Sequence, residues 1–290
     1  MPEILLHIGY PKTGSNFLRQ YFNSNDKLFV EGSTFTDNYI KTGKISAELA
    51  SKTEKHHIIS EERFSVWGGE VEIVGVKFKP YDIKSHQKET CRSLKAAFPE
   101  AKVLIVLRGF KSALRSMYWQ YVSIGGIFSF PKFQQNYREY FADFYDYDFL
   151  VRTYREVFQN KVILLPFELL EEDSVKFLGI MEDKCALPHA DFTATKANAS
   201  LTEKIDFYTI LSRLIYEMIQ PFPYSLQKKI YGKYANALYN RKLNHISKLF
   251  SRHRKLEIDE ETLRLFIGKA EVVRNEKLFE PYREAYFLTD

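Results

Sequence analysis

Ile4-Leu5-Leu6-His7-Ile8-Gly9-Tyr10-Pro11-Lys12-Thr13-Gly14-Ser15-Asn16-Phe17-Leu18 opens on an apolar run, turns through two glycines, a proline and a lysine, and closes on a helical pattern. Phe17, Leu18, Tyr21 and Phe22 continue that pattern at helix spacing. Strand, glycine loop and helix in this order build an anion cradle, because loop N–H groups and the positive helix end converge on one spot. Lys12 adds a full charge there, and Thr13, Ser15 and Asn16 add donors. A plain strand-to-helix turn with a solvated lysine is the alternative.

Gly9 and Gly14 have the G-x-x-x-x-G spacing of a nucleotide triphosphatase loop, but Ser15 and Asn16 follow where Lys and Ser/Thr would stand. The lysine lies inside the loop, at position 12. The displacement argues for a different anion, or for a different bond being broken.

Working outward, His56-His57-Ile58-Ile59-Ser60 reads as a short buried strand that ends in a loop carrying Glu61, Glu62 and Arg63. Residues 25–55 between them read as loop and a short helix. Residues 71–79 alternate enough to form a further strand, and 87–98 read as a helix burying Cys91, Leu94 and Phe98. Lys102-Val103-Leu104-Ile105-Val106-Leu107 is the clearest strand, its apolar run implying burial on both faces of a parallel sheet. It ends at Arg108-Gly109, and a helix is expected from Lys111 to Val122. Residues 136–158 read as helical, Val162–Pro166 as another buried strand and Phe167–Gly179 as its helix. Beyond residue 195 the pattern is mostly helical.

Alternating strands and helices predict an α/β fold of three layers, a central parallel sheet flanked by helices, with a helical C-terminal part. Right-handed crossovers place the strand C-termini on one ligand-binding edge. At 290 residues, with 45% hydrophobic content, one domain over residues 1–290 is expected. The formal charge of +5 fits an anionic ligand without requiring nucleic acid, and no nucleic-acid partner is expected. Cys91 and Cys185 make neither a disulfide framework nor a metal site, and fit a reducing compartment. The run Ile4–Ile8 is too short for a signal peptide, and no stretch is long enough to span a bilayer. A cytoplasmic protein, extending to one peripheral to a membrane, is expected.

Arg108 just past its strand and Ser116 eight residues on reach one phosphate if the strand-to-helix turn is tight, which Gly109 permits. With the first loop, this pair resembles the PAPS-dependent sulfotransferases. In that family Pro-Lys-x-Gly-Ser/Thr forms the phosphosulfate loop, and an Arg and a Ser eight apart bind the 3′-phosphate of PAPS (3′-phosphoadenosine 5′-phosphosulfate). Tyr118-Trp119-Gln120-Tyr121 before Gly125-Gly126, Pro166-Phe167-Glu168, Lys196-Ala197-Asn198-Ala199-Ser200 and Arg274-Asn275-Glu276-Lys277-Leu278 resemble its carbohydrate-type and bacterial members. Asn16 departs from the usual Ser or Thr.

The resemblance implies a sulfotransferase moving a sulfuryl group from PAPS to a hydroxyl or amine, with a carbohydrate or glycolipid as acceptor, PAP as product and no metal. Pro11, Lys12, Thr13, Gly14, Ser15 and Asn16 would hold the 5′-phosphate, Arg108 and Ser116 the 3′-phosphate, and Lys196 and Asn198 join the cofactor site. Lys12 would also neutralise the leaving oxygen. For the base, Glu62 leads and Glu61 follows, since carbohydrate-type relatives use a carboxylate from such a position. His86 is the rival, because Lys84-Ser85-His86 resembles the Lys-Thr-His of the cytosolic small-molecule sulfotransferases, which use a histidine. Two alternatives remain: a P-loop kinase using ATP, and an inactive nucleotide-binding module.

From Met218 to Leu256 there are nine Lys or Arg and no acid, with Ile230, Tyr234, Leu238 and Ile246 interleaved. Such a stretch can lie on an anionic membrane or face a polyanionic glycan. A docked helix with a solvated basic face is the alternative.

Overall fold

A computed structural model describes residues 3–31, 55–66, 71–72, 74–78, 81–192, 205–240 and 256–288. Its framework is a five-stranded sheet in the order β2-β3-β1-β6-β7. The strands are β1 (Glu3–Gly9), β2 (Leu28–Glu31), β3 (His56–Glu61), β6 (Lys102–Leu107) and β7 (Val162–Pro166), and every pairing among them is parallel. Two-residue strands β4 (Val71–Glu72) and β5 (Lys77–Phe78) form a separate antiparallel pair.

Strand periodicity sorts the core. Leu6 and Ile8, with Ile59, Val103, Ile105 and Leu107, face one side; Leu5, Ile58, Leu104, Val106 and Leu165 face the other. On the first side lie α2 (Ile83–Ala97), α3 (Phe110–Ser123), α4 (Phe130–Phe144) and α5 (Tyr147–Phe158). On the second lie α1 (Ser15–Ser24), α6 (Phe167–Glu172) and α7 (Ser174–Cys185). This is the expected three-layer α/β arrangement. Sheets of this kind require helices on both faces, since parallel strands expose no face to water. The helical C-terminal part begins with α8 (Ile205–Ile219) and α9 (Tyr224–Tyr239), continues through α10 (Glu260–Arg264) and ends in 3₁₀ turns at Glu271–Val273 and Lys277–Tyr286.

Four local expectations change. Leu28–Glu31, expected as loop or helix, is an edge strand registered on His56–Ile59. Its pairing to β3 supplies what its own weak pattern lacks. Residues 136–158 form two helices, broken at Tyr145, with Asp146 capping the second by accepting from the Phe149 N–H at 3.0 Å. Residues 167–179 also split, where Asp173 caps α7. The strand expected over 71–79 is reduced to the β4–β5 pair, residue 73 lying outside the described residues.

Register aligns the strand ends. Ile8 pairs with Glu61, Gly9 with Val106 and Leu107 with Pro166. The chain runs from β1 out to the edge strand β2 and back in to β3 on one side, then crosses to β6 and β7 on the other. The reversal lies between β1 and β6, and a crevice at such a reversal is where open parallel sheets bind ligands.

Candidate functional site

The loop after β1 is locked from within. Thr13 is fully buried, and both its N–H (3.3 Å) and its hydroxyl (2.7 Å) donate to the Tyr10 carbonyl. Its single proton is thereby committed, so the side chain shapes the loop instead of donating outward. Tyr10 is buried among Phe144, Tyr145 and Tyr147 and holds the base of the loop. Lys12 has φ 70° and Gly14 φ 85°, the left-handed region in which L side chains are strained. At Gly14 a methyl would also stand 2.6 Å from Leu170. At Gly9 a methyl would stand 2.6 Å from Ser15 Oγ and 3.4 Å from Glu62 Cγ. Gly9 lets the loop fold back against α1 and the acid after β3, and Gly14 lets it pack against α6. The first turn of α1 holds no acidic side chain, so nothing there offsets the positive end of the helix.

Arg108 joins this loop from the neighbouring strand. Its Nη1 donates to the Lys12 carbonyl at 2.8 Å, its Nε to Ser112 Oγ at 2.9 Å and its Nη2 to Glu171 Oε1 at 3.3 Å. The guanidinium lies 4.2 Å from the centre of the Phe167 ring. Behind it, the Gly109 N–H donates to Glu168 Oε1 at 2.8 Å, and Tyr147 donates to the Arg108 carbonyl at 2.6 Å. The buried Tyr286 hydroxyl sits between the Leu107 carbonyl (2.9 Å) and Glu168 Oε2 (2.7 Å). The strand ends of β6 and β7 are thus braced by the C-terminal 3₁₀ segment. A rigid backbone under a charged side chain keeps it aimed.

Glu62 begins the 3₁₀ turn Glu62–Phe64 beside the loop. Burial raises its pKa, and the Ser15 hydroxyl, Arg19 and Lys12 hold the rise back. Burial lowers the pKa of Lys12, which Glu62 opposes and Arg108 reinforces. The lysine and the glutamate therefore act on one another inside a partly dry site. Lys12 Nζ also approaches Gln120 Oε1 of α3 at 3.5 Å.

The structure brings together Lys12, Ser15, Arg108 and Glu62 from three strand ends. Pro11 lies in the loop and Asn16 is exposed on the first turn of α1. Glu61 turns aside, bound to the Arg63 guanidinium at 2.8 Å and to the Arg63 N–H at 3.2 Å. His86 Nε2 meets the Arg63 carbonyl at 2.8 Å, which ties the ring to the turn that carries Glu62. Ser116 lies one helical turn beyond Ser112, and Ser112 is the serine that Arg108 touches. Lys196 and Asn198 lie outside the described residues, as do Trp67, Gly68 and Gly69. Sequence reasoning did not anticipate Gln120 at Lys12, nor Ser112, Phe167 and Glu171 around Arg108. Glu171 stands one helical turn past Glu168, a spacing that could have paired it with the same strand end. Among the described residues no group of three His, Cys, Asp or Glu side chains is disposed to hold a metal.

No family model matches the chain, and no curated protein sequence does. Among solved structures, a sulfotransferase from Alicyclobacillus acidocaldarius is similar over 79% of this chain and 99% of its own, at 16% identity and a TM-score of 0.48. Mouse sulfotransferase SULT7A1 complexed with PAP is similar over 97% of this chain and 88% of its own, at 14% identity and 0.46. A sulfotransferase domain from the curacin biosynthetic pathway is similar over 81% and 98%, at 10% identity and 0.40.

Proposed function

We propose that the chain is a sulfotransferase that moves a sulfuryl group from PAPS to a hydroxyl or amine of a carbohydrate or glycolipid. The observation that carries this reading is the bond from Arg108 to the Lys12 carbonyl. It joins an anion-binding loop to a second guanidinium anchor, so one ligand with two separated anionic groups can be gripped at both. The donor set fits such a nucleotide. Loop N–H groups, Ser15 and Lys12 surround one position, and the Arg108 fork stands over another. A phosphate at Arg108 would take the place that Glu171 now holds on Nη2.

In the reaction the acceptor oxygen or nitrogen attacks sulfur in line. The bond from sulfur to the phosphate oxygen breaks, and its electron pair leaves with the phosphate. Chemistry of this kind rests on positioning and charge stabilisation. Lys12 offsets the charge that grows on the departing oxygen. Glu62 takes the acceptor's proton, and its raised pKa brings it closer to a useful base. His86, by holding the Arg63 carbonyl, keeps the turn that presents Glu62 in place.

Thermal-shift measurements with PAP, ATP and buffer, followed by an acceptor screen with labelled PAPS, test the reading. Ligand stabilisation follows affinity. A larger shift with PAP than with ATP, and label transfer to a glycan or glycolipid, is the expected result. Equal shifts would point to a kinase, and PAP binding with no transfer to any acceptor would point to a binding module.

A further inference from the structure

The hairpin α8–α9 presents apolar surface to water. Ile210, Leu214 and Met218 recur every fourth residue on the exposed arc of α8, and Met218 is 73% exposed. The turn continues the patch with Phe222, and α9 opens with Tyr224 and Leu226, all exposed. Among the described residues, the large exposed apolar side chains outside this hairpin are Val175 and Ile267. A concentration of this kind marks a surface that something covers.

The charges beside it narrow the partner. Lys228, Lys229 and Lys233 lie on the exposed arc of α9, and no Asp or Glu occurs between Met218 and Asn240, the exposed Glu217 of α8 standing just before that stretch. Pairing with a second copy through a two-fold axis would set these lysines against themselves. A polyanionic glycan would answer the lysines but give the apolar tip nothing to enter. A lipid surface with anionic headgroups answers both, since apolar and aromatic groups enter the headgroup boundary while lysines remain at the charged plane.

We propose that the tip of the α8–α9 hairpin seats on an anionic lipid surface. The hairpin is fastened to α3 and to the segment that follows it: beyond the helix, the Tyr231 hydroxyl donates to the Gly125 carbonyl, and Arg213 Nη2 reaches the Ile127 carbonyl at 3.4 Å. Tyr118 of α3 meets Thr209 at 3.4 Å. Gln120 of the same helix touches Lys12. A bilayer under the hairpin therefore lies one helix away from the anion-binding loop. This favours an acceptor presented on a lipid, a consequence that rests on the sulfotransferase reading, whereas the docking itself does not.

The test is co-sedimentation with vesicles of phosphatidylcholine alone and of phosphatidylcholine mixed with phosphatidylglycerol. The full chain is expected to sediment with the mixed vesicles, and less so as salt rises. Neutralising Lys228, Lys229 and Lys233 together to Gln should weaken partition on the order of 10²-fold. Replacing Met218, Phe222 and Leu226 together by Ser should abolish it, and Met218→Ser alone, at an exposed position, should weaken it without disturbing the fold. The PAP-induced thermal shift should be unchanged in all three variants. Failure to sediment with the mixed vesicles overturns the proposal. So does a dimer in sedimentation equilibrium that the apolar triple variant converts to monomer, which would make the patch a self-interface. Vesicle binding without PAP binding would sink the sulfotransferase reading and leave the lipid surface standing.

Discussion

The loop edge of the sheet and the α8–α9 hairpin depart from ordinary protein surface in opposite directions. At the loop edge, Lys12, Arg108 and Glu62 are drawn partly out of water, and burial moves Lys12 and Glu62 toward neutrality. On the hairpin, Met218, Phe222 and Leu226 are left in water with lysines beside them. Partly buried charge strengthens every interaction with a ligand anion, because local screening is weak. Exposed apolar surface beside charge serves adhesion. Chemistry and attachment are therefore separable, and substitutions in one region should leave the other intact.

Lys12→Ala gives the largest expected loss. The protein should fold, since among the described residues the hydrogen bond of the side chain is a long one to Gln120, while kcat falls about 10²- to 10³-fold, the range for one preorganised electrostatic stabiliser. Full turnover in a folded Lys12→Ala protein would remove the loop from the chemistry and collapse the contrast between the regions.

Glu62→Gln should lower kcat by about 10²-fold, within the range for a general base, with little change in PAP affinity. It also carries a pH signature. Because burial raises the Glu62 pKa, the acid limb of kcat/KM should lie above the ordinary carboxylate range. In stability the sign is the reverse of a salt-bridged acid. The native state keeps a proton that the unfolded chain has already lost, so this group makes stability fall as pH rises from the unfolded pKa to the folded one. Glu62→Gln should remove that fall, and Tm measured across the acid range will show it. If His86→Ala abolishes turnover while Glu61→Gln and Glu62→Gln remain active, the histidine is the base.

Arg108→Ala should weaken PAP about 10- to 100-fold, as expected for charge-assisted bonds, and barely affect an analogue lacking the 3′-phosphate. Calorimetry on Ser112→Ala and Ser116→Ala, with the same two ligands, will decide which serine shares that phosphate. Equal weakening of both ligands in Arg108→Ala would mean the guanidinium only props up the Lys12 backbone.

The smallest effect is expected from Glu171→Gln. Glu171 now occupies one arm of Arg108 from a half-exposed position, so removing its charge should tighten PAP about two- to fivefold, the scale of an exposed ion pair. Unchanged or weaker binding would show that Glu171 does not compete with the ligand.

Much of this molecule was legible along the chain. The apolar runs at Leu5–Ile8, Val103–Leu107 and Val162–Leu165 can be satisfied only by burial on both faces, and Gly9 and Gly14 mark the turn that side chains would block. Local pattern therefore determined the parallel sheet, its flanking helices and the loop with Lys12. Leu28–Glu31 escaped because four residues carry too little periodicity, and its strand exists through pairing with β3. Which of two adjacent acids faces the loop was equally beyond the sequence. Successive side chains at a strand end diverge, and only the position of the Arg63 guanidinium committed Glu61 elsewhere. Gln120 reaches Lys12 and Arg108 reaches the Lys12 carbonyl across 108 and 96 residues of sequence. Contacts of that range follow from strand order and helix direction, which no local pattern encodes. The exposed arc of α8 was hidden for the same reason: an apolar residue every fourth position reads as core until the packed helix shows which side faces water.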